Sequence, residues 1–283
     1  MKHRVFGPTG VEVPIIGQGS WDLPESGSRL AEAKLALRRG IELGMTHLDT
    51  AEMYGSGAVE RIMGDAVVGL PRAALFITSK VLPSNATFEG TIAACERSLK
   101  RLKTDYLDCY LLHWPSHVPL EETMRALARL VRDGKTRYAG VSNFDTEDML
   151  EAQRLLGDVP LACNQVLYHL RERGIEHHLL PEARKAGIAI VGYSPFGRSA
   201  FPRAAVDSGS VLGKIAAKHD ATPRQVILAA LTHGEGLFAI PKASSVAHVQ
   251  ENAGAGDLAL DDDDMRAIDA AFPIGEPRGL ATL

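Results

Sequence analysis

Leu48-Asp49-Thr50-Ala51-Glu52-Met53-Tyr54-Gly55 ends an apolar run on a carboxylate and, five residues later, carries a phenol into a glycine turn. An aspartate at the end of a buried strand is costly unless a cation meets it. The chain offers that cation in Lys80, which closes the next apolar run, Leu75-Phe76-Ile77-Thr78-Ser79-Lys80. A third run, Tyr106-Leu107-Asp108-Cys109-Tyr110-Leu111-Leu112, is closed by His113. Polar groups at successive run ends, with Tyr54 just past the first, converge only if those runs are adjacent parallel strands.

Reading outward, the same alternation fills the chain. Strands are predicted at 15–19, 46–48, 75–79, 106–112, 138–142, 162–165, 189–193 and 237–240. Helical periodicity falls between them at 30–43, 58–68, 87–102, 120–132, 146–156, 174–185 and 222–231, and 245–253 follows the last strand. A hairpin, 4–6 with 11–13 around Gly7-Pro8-Thr9-Gly10, precedes this series. Two further amphipathic stretches, 211–219 and 262–271, stand outside it. Eight strands interleaved with helices make an α/β chain, and the regular rhythm over about 250 residues favours closure into a (β/α)8 TIM barrel over an open sheet. With no Pro/Gly/Ser-rich linker, 1–283 reads as a single barrel domain.

Composition narrows the function. The chain has 283 residues, 45% apolar and 23% charged, with a formal charge of -4 and both signs interspersed, so no basic stripe points to nucleic acid or a membrane surface. The acidic run at 261–264 suits a helix N-terminus, where the macrodipole favours carboxylates. No apolar segment approaches the roughly 18 residues of a spanning helix, and Met1-Lys2-His3-Arg4 leads into Phe6-Gly7-Pro8 and no apolar h-region. Three dispersed cysteines, Cys95, Cys109 and Cys163, read as small buried hydrophobes of a reducing compartment, which predicts the cytoplasm. Nothing demands a partner subunit, so a monomer is expected.

In a parallel barrel all strand C-termini face one mouth. Asp49, Lys80, His113, Ser142, Asn143, Gln165 and Tyr193 all fall at or just past predicted strand ends. Any one of them could merely end a strand. Taken as a set they mark a site, because Lys and Asp are rarely sequestered without a partner.

At these positions the chain resembles the aldo-keto reductase family. The matching blocks run in order: Leu48-Asp49-Thr50-Ala51 through Tyr54-Gly55, Ser79-Lys80, Leu112-His113-Trp114-Pro115, Gly140-Val141-Ser142-Asn143-Phe144, Asn164-Gln165-Val166, Gly192-Tyr193-Ser194-Pro195 and Ile240-Pro241-Lys242. The resemblance implies a (β/α)8 barrel that binds an extended nicotinamide dinucleotide across its mouth and reversibly reduces carbonyls. It also implies that Asp49, Tyr54, Lys80 and His113 form the catalytic tetrad.

The residues themselves support that chemistry. Hydride delivery to a carbonyl carbon builds negative charge on oxygen, so the site needs a proton donor there. Tyr54 fits, and a nearby Lys80 ammonium is expected to make the phenol more acidic. A unit charge pair at about 4 Å is worth roughly 1 to 4 kcal/mol, enough to lower a pKa of about 10 by about one to three. Asp49 would keep Lys80 charged, and His113 would position the substrate oxygen.

For the cofactor, Gly17-Gln18-Gly19 and Gly55-Ser56-Gly57 both lack the third glycine of a dinucleotide fingerprint, which argues against a Rossmann unit. The resemblance implies instead that Ser142, Asn143 and Gln165 hold the carboxamide and that Tyr193 stacks on the nicotinamide. The turn Ser194-Pro195-Phe196-Gly197 would follow the pyrophosphate, while Lys242 would meet the 2'-phosphate, and Glu251 and Asn252 the adenine. Gly19, Ser20, Trp21, Asp49, Ile240, Pro241, Ser244, Ser245 and His248 complete the expected cofactor set. Where many family members carry serine directly after the lysine and arginine six residues after it, this chain has Ala243 and His248. Lost bidentate contact weakens the preference for the phosphorylated cofactor; NADP(H) is still expected first and NAD(H) second.

The expected substrate is a small-molecule carbonyl, an aldehyde, α-oxoaldehyde or simple ketone, contacted by Trp21, Tyr54, His113 and Trp114. The short segments 196–210 and 274–283 predict an open pocket. His113 and His117 have zinc-helix spacing, but Pro115 between them breaks such a helix, so no metal site is expected. Two rival functions stand beside this one: a Schiff-base lyase using Lys80, and a dinucleotide-bound redox sensor without useful turnover.

Overall fold

Strands follow one another around the sheet in the order in which the chain makes them. The computed structural model describes residues 1–197 and 205–283. Eight parallel strands lie side by side: β3 (Gln18–Gly19), β4 (His47–Asp49), β5 (Phe76–Val81), β6 (Leu107–Leu112), β7 (Thr136–Ser142), β8 (Leu161–Leu167), β9 (Ala189–Tyr193) and β10 (Leu237–Ala239). Parallel bridges Ile16 to Ala239 and Gly19 to Lys242 join the first strand back to the last, so the sheet closes as a (β/α)8 barrel. Backbone hydrogen bonds from Gly17 to Ala239 (2.8 Å), Ala239 to Ile15 (2.9 Å) and Gly19 to Pro241 (3.1 Å) make the seam. Close approaches on both sides of β3 require glycine: a Cβ on Gly19 would sit 2.6 Å from the Ile240 carbonyl oxygen across the seam, and one on Gly17 2.7 Å from the His47 carbonyl oxygen of β4. Gly17 and Gly19, which the sequence shows as an incomplete dinucleotide fingerprint, therefore serve the close packing of this strand against its two neighbours.

Around the barrel run α1 (Gly27–Glu42), α2 (Ala58–Ala66), α3 (Phe88–Leu102), α4 (Leu120–Arg132), α5 (Thr146–Leu155), α6 (Leu179–Ala186), α8 (Pro223–Leu231) and α9 (Val246–Gly254). The two supernumerary helices are α7 (Val211–Lys218) and α10 (Asp262–Ala271), packed together and tied by Lys218 to Asp261 and Asp264 at 2.7 and 2.8 Å. The acidic run does start a helix: Asp261 and Asp264 each accept the other's backbone N–H, at 2.9 and 3.1 Å. One expected helix breaks. Over 174–185 the chain makes a single 3-10 turn, Gly174–Glu176, and restarts at Leu179, because Pro181 has no N–H for the His177 carbonyl and its ring would clash there.

The hairpin of β1 (His3–Val5) and β2 (Glu12–Pro14) seals the end of the barrel opposite the strand C-termini. At its turn the buried Phe6 ring packs against His47, Phe76 and Phe238 with centroids 5.7, 4.8 and 5.0 Å away. His47 and Phe76 begin their strands. Both sides of β5, β6 and β8 are buried, as strands between a filled interior and a helical shell must be. Among the described residues no helix is long and apolar enough to cross a membrane.

Burial of His47 has a pH consequence. Burial, aided by the distant Lys80 charge, lowers its pKa from 6.5 to about 3. The folded state thus binds fewer protons than the unfolded chain between those values, so the stabilisation is complete above pH 6.5 and is lost as pH falls. His47→Leu keeps an apolar side chain that cannot titrate. We expect urea unfolding between pH 5.5 and 4.5 to show the wild type losing about 1.4 kcal/mol per pH unit more than His47→Leu. Parallel pH dependences in the two proteins would contradict the assignment.

Candidate active site

The strand ends bring the sequence-selected residues to one cleft. Asp49 ends β4, and Lys80 lies at the fifth position of β5, where its side chain is 0% exposed. The Lys80 ammonium donates to Asp49 Oδ1 at 2.6 Å, to the Thr50 carbonyl at 2.9 Å and to Tyr54 Oη at 3.4 Å. Gln165 Nε2 donates to the other Asp49 oxygen at 2.7 Å. His113 follows β6, with its ring edge-on to that of Tyr54 at 5.8 Å.

Burial is the largest influence on every charge here. It works against the Lys80 ammonium, but Asp49 and Tyr54 outweigh it and hold the Lys80 pKa above its ordinary value. It also raises Asp49, against the lowering effects of Lys80 and Gln165. The 2.6 Å contact and the Thr50 carbonyl make the pair an ammonium and a carboxylate. Tyr54 departs from expectation. Burial pushes its phenol above the ordinary value of 10, Lys80 pulls down without prevailing, and the Asp49 charge adds to the rise. The resting phenol therefore keeps its proton at neutral pH. His113 is lowered from 6.5 to about 2 by burial and then by Lys80, so its imidazole is neutral, and its Nδ1 has no hydrogen-bond partner among the described residues.

An open cleft with a volume of about 150 Å³ lies above this group. Of the expected residues, Gly19, Ser20, Trp21, Asp49, Tyr54, His113, Trp114, Ser142, Asn143, Gln165, Tyr193, Ser194, Ile240 and Lys242 line it. Lys80 sits behind them and reaches the cleft only through Tyr54 and Asp49. Pro195, Phe196, Gly197, Pro241, Ser244, Ser245, His248, Glu251 and Asn252 do not line it; they follow or flank Ser194 and Lys242 in the sequence. Ser245 spends its hydroxyl as the N-cap of α9, accepting from His248 N at 3.4 Å.

The floor is wired internally. Tyr193 Oη donates to Asn143 Oδ1 at 2.8 Å, Asn143 Nδ2 donates to the His113 carbonyl at 3.1 Å, and Ser142 Oγ donates to the Gln165 carbonyl at 2.8 Å. Asn143 holds this place at φ 60, a left-handed conformation that asparagine tolerates better than other side-chain-bearing residues. Sequence reasoning missed Met53 and Leu283, which add apolar wall beside Trp21 and Trp114. It also passed over Glu52, whose buried carboxylate accepts from Leu82 N at 2.8 Å and Asn85 Nδ2 at 2.9 Å. Glu52 thereby clamps the turn carrying Tyr54 to the end of the strand carrying Lys80. A buried-geometry role of this kind leaves only a charged residue inside a motif as its sequence signal.

The residues present fit a nicotinamide dinucleotide. With Gln165 Nε2 committed to Asp49, its Oε1 remains as an acceptor on the cleft floor beside the Tyr193 ring. Ser20 Oγ at the rim, and both polar side-chain atoms of the buried Asn252, have no hydrogen-bond partner among the described residues, a debt that a polar ligand can satisfy.

Comparison with known proteins agrees with this geometry. A family model described as Aldo/keto reductase family matches residues 15–272. Methylglyoxal reductase YeaE of Escherichia coli is 44% identical over 284 residues, covering 100% of this chain and 99% of that protein. Glyoxal reductase of Bacillus subtilis is 37% identical over 273 residues, covering 95% of this chain and 93% of that one. A crystal structure of an aldo-keto reductase from Klebsiella pneumoniae in complex with NADPH superposes with TM-score 0.92 at 39% identity and covers 100% of both chains.

Proposed function

The chain belongs to the aldo/keto reductase family, and from that premise we propose that it reduces the carbonyl of small α-oxoaldehydes such as methylglyoxal, using NADPH. The observation that carries the reading is the buried Asp49–Lys80 pair, 2.6 Å apart, backing a protonated Tyr54 at 3.4 Å on the floor of an open cleft. Relatives named for methylglyoxal and glyoxal, and an NADPH-bound neighbour, support the substrate class and the cofactor.

When bound, the cofactor supplies hydride. Ser142, Asn143 and Gln165 would hold its carboxamide, Tyr193 would face its ring, and Lys242 would meet its phosphorylated end. The substrate oxygen sits between Tyr54 and His113. The neutral His113 donates a hydrogen bond to it, and Tyr54 Oη gives up its proton as the oxygen acquires negative charge. Lys80, kept protonated by Asp49, stabilises the resulting phenolate, which solvent then reprotonates. Trp21, Met53, Trp114 and Leu283 wall the pocket with apolar surface, so a compact substrate is desolvated on entry.

A charged lysine is no nucleophile, which counts against the Schiff-base alternative. The test is depletion of NADPH against a panel of carbonyls. We expect saturable turnover with methylglyoxal and glyoxal. Tight NADPH binding without turnover on any carbonyl would support the redox-sensor reading, and borohydride trapping of substrate on Lys80 the lyase.

A further inference from the structure

If NADPH fills the cleft as proposed above, its 2'-phosphate calls for more than the single point charge of Lys242, and the position six residues later holds an exposed histidine, His248. We propose that Arg224 is the guanidinium that recognises the 2'-phosphate in this chain and sets its preference for NADPH over NADH.

Arg224 is the second residue of α8, and it reaches between two segments that flank the adenosine half of the cofactor. On one side its Cζ lies 3.8 Å over the ring of Phe196, in the turn Ser194-Pro195-Phe196-Gly197. On the other, its Nε lies 3.5 Å from Glu251 Oε2 in α9. The two helices are fixed to each other here, because Gln225 Nε2 donates to the Glu251 carbonyl at 3.0 Å. Stacking on an aromatic face sets the plane of a guanidinium and leaves its edge donors to an anion. Among the described residues the guanidinium makes no hydrogen bond: its Nε is buried and unpartnered, Glu251 offers a charge at 3.5 Å but no hydrogen-bond geometry, and the exposed part of the side chain is left to an anion. A side chain 42% exposed gains little stability from such a pair.

A second observation points to a ligand at the same place. Asn252, the neighbour of Glu251, is 1% exposed, and neither Nδ2 nor Oδ1 has a partner among the described residues. A buried primary amide left unpaired on both atoms is suited to a heteroaromatic edge that presents one donor and one acceptor, as adenine does. Asn252 then takes the base, as the family resemblance implied, and Arg224 takes the phosphate carried on the ribose 2'-oxygen, a role that the sequence pattern around Lys242 did not reveal.

The two tryptophans, Trp21 and Trp114, both line the cleft, so their quenching reports dinucleotide binding directly. Dissociation constants for NADPH and NADH are measured in wild type, Arg224→Ala, Arg224→Gln and Arg224→Lys, with calorimetry on adenosine 2',5'-bisphosphate and 5'-AMP. Loss of charge-assisted bonds should weaken NADPH and the bisphosphate by about 10- to 100-fold in Arg224→Ala and Arg224→Gln, and leave NADH and 5'-AMP within about twofold. Arg224→Lys should fall between, since a point charge lacks the fork. An unchanged NADPH to NADH ratio, or equal weakening of all four ligands, would overturn the assignment while leaving the reductase reading intact. Wild type that binds neither dinucleotide would remove both.

Discussion

Tyr54→Phe is expected to lower kcat for methylglyoxal by about 10²- to 10⁴-fold and to leave the dissociation constant of NADPH unchanged. The substitution removes one oxygen and keeps the ring that packs edge-on against His113 at 5.8 Å. What is lost is the proton donor. The direction of the Tyr54 pKa strengthens this expectation: burial holds the phenol above 10, so the group enters each cycle protonated. It donates only when hydride transfer turns the substrate oxygen into an alkoxide, a stronger base than phenolate. The Lys80 ammonium at 3.4 Å then favours the anion left behind. His113 cannot take over, because with a pKa of about 2 it is a neutral imidazole and a very weak acid. Steady-state kinetics beside a cofactor titration checks the point. A loss of kcat below about tenfold would mean that water supplies the proton, and the role given to Tyr54 would fail.

Much of this was legible because barrels repeat a simple rule. Parallel strands bury both faces, so their sequences read as apolar runs, and polar residues that end such runs are there for the mouth. Asp49, Lys80, His113, Ser142, Gln165 and Tyr193 followed from that rule alone, and the turn Gly7-Pro8-Thr9-Gly10 marked the hairpin. Other features depend on distances that no spacing encodes. Pro181 interrupts an otherwise helical pattern only because its missing N–H falls where a turn would need it. Gly17 and Gly19 look like part of a dinucleotide fingerprint until the backbone of β4 on one side and of the seam on the other shows what approaches them. Leu283 reaches the cleft from a segment without periodicity. The pKa of Tyr54 runs opposite to the pairwise argument, since a Coulomb estimate includes the neighbouring ammonium but omits the desolvation that accompanies it.

Lys80→Met should cost about 3 to 5 kcal/mol of stability as well as activity, because it strands the Asp49 carboxylate in a site where, among the described residues, only Gln165 still donates to it. Burial already raises the Asp49 pKa with Lys80 present, and removing the ammonium removes the first of the influences that hold it down. The folded variant then binds a proton that the unfolded chain releases above its ordinary carboxylate pKa. Its stability is therefore full at low pH and is lost as pH rises through the raised Asp49 value, the reverse of the histidine effect in the wild type. The double variant Asp49→Asn, Lys80→Met has no charge to strand, and urea unfolding at pH 7 should return most of the lost stability. Its kcat should nevertheless stay as low as that of Lys80→Met, since no ammonium remains to accept charge from Tyr54. Stability that fails to recover in the double variant would show that the lysine stem, and not the ion pair, holds this part of the barrel. Recovery of kcat together with stability would show that the pair is structural only, and the chain of charge from Asp49 through Lys80 to Tyr54 would lose its catalytic meaning.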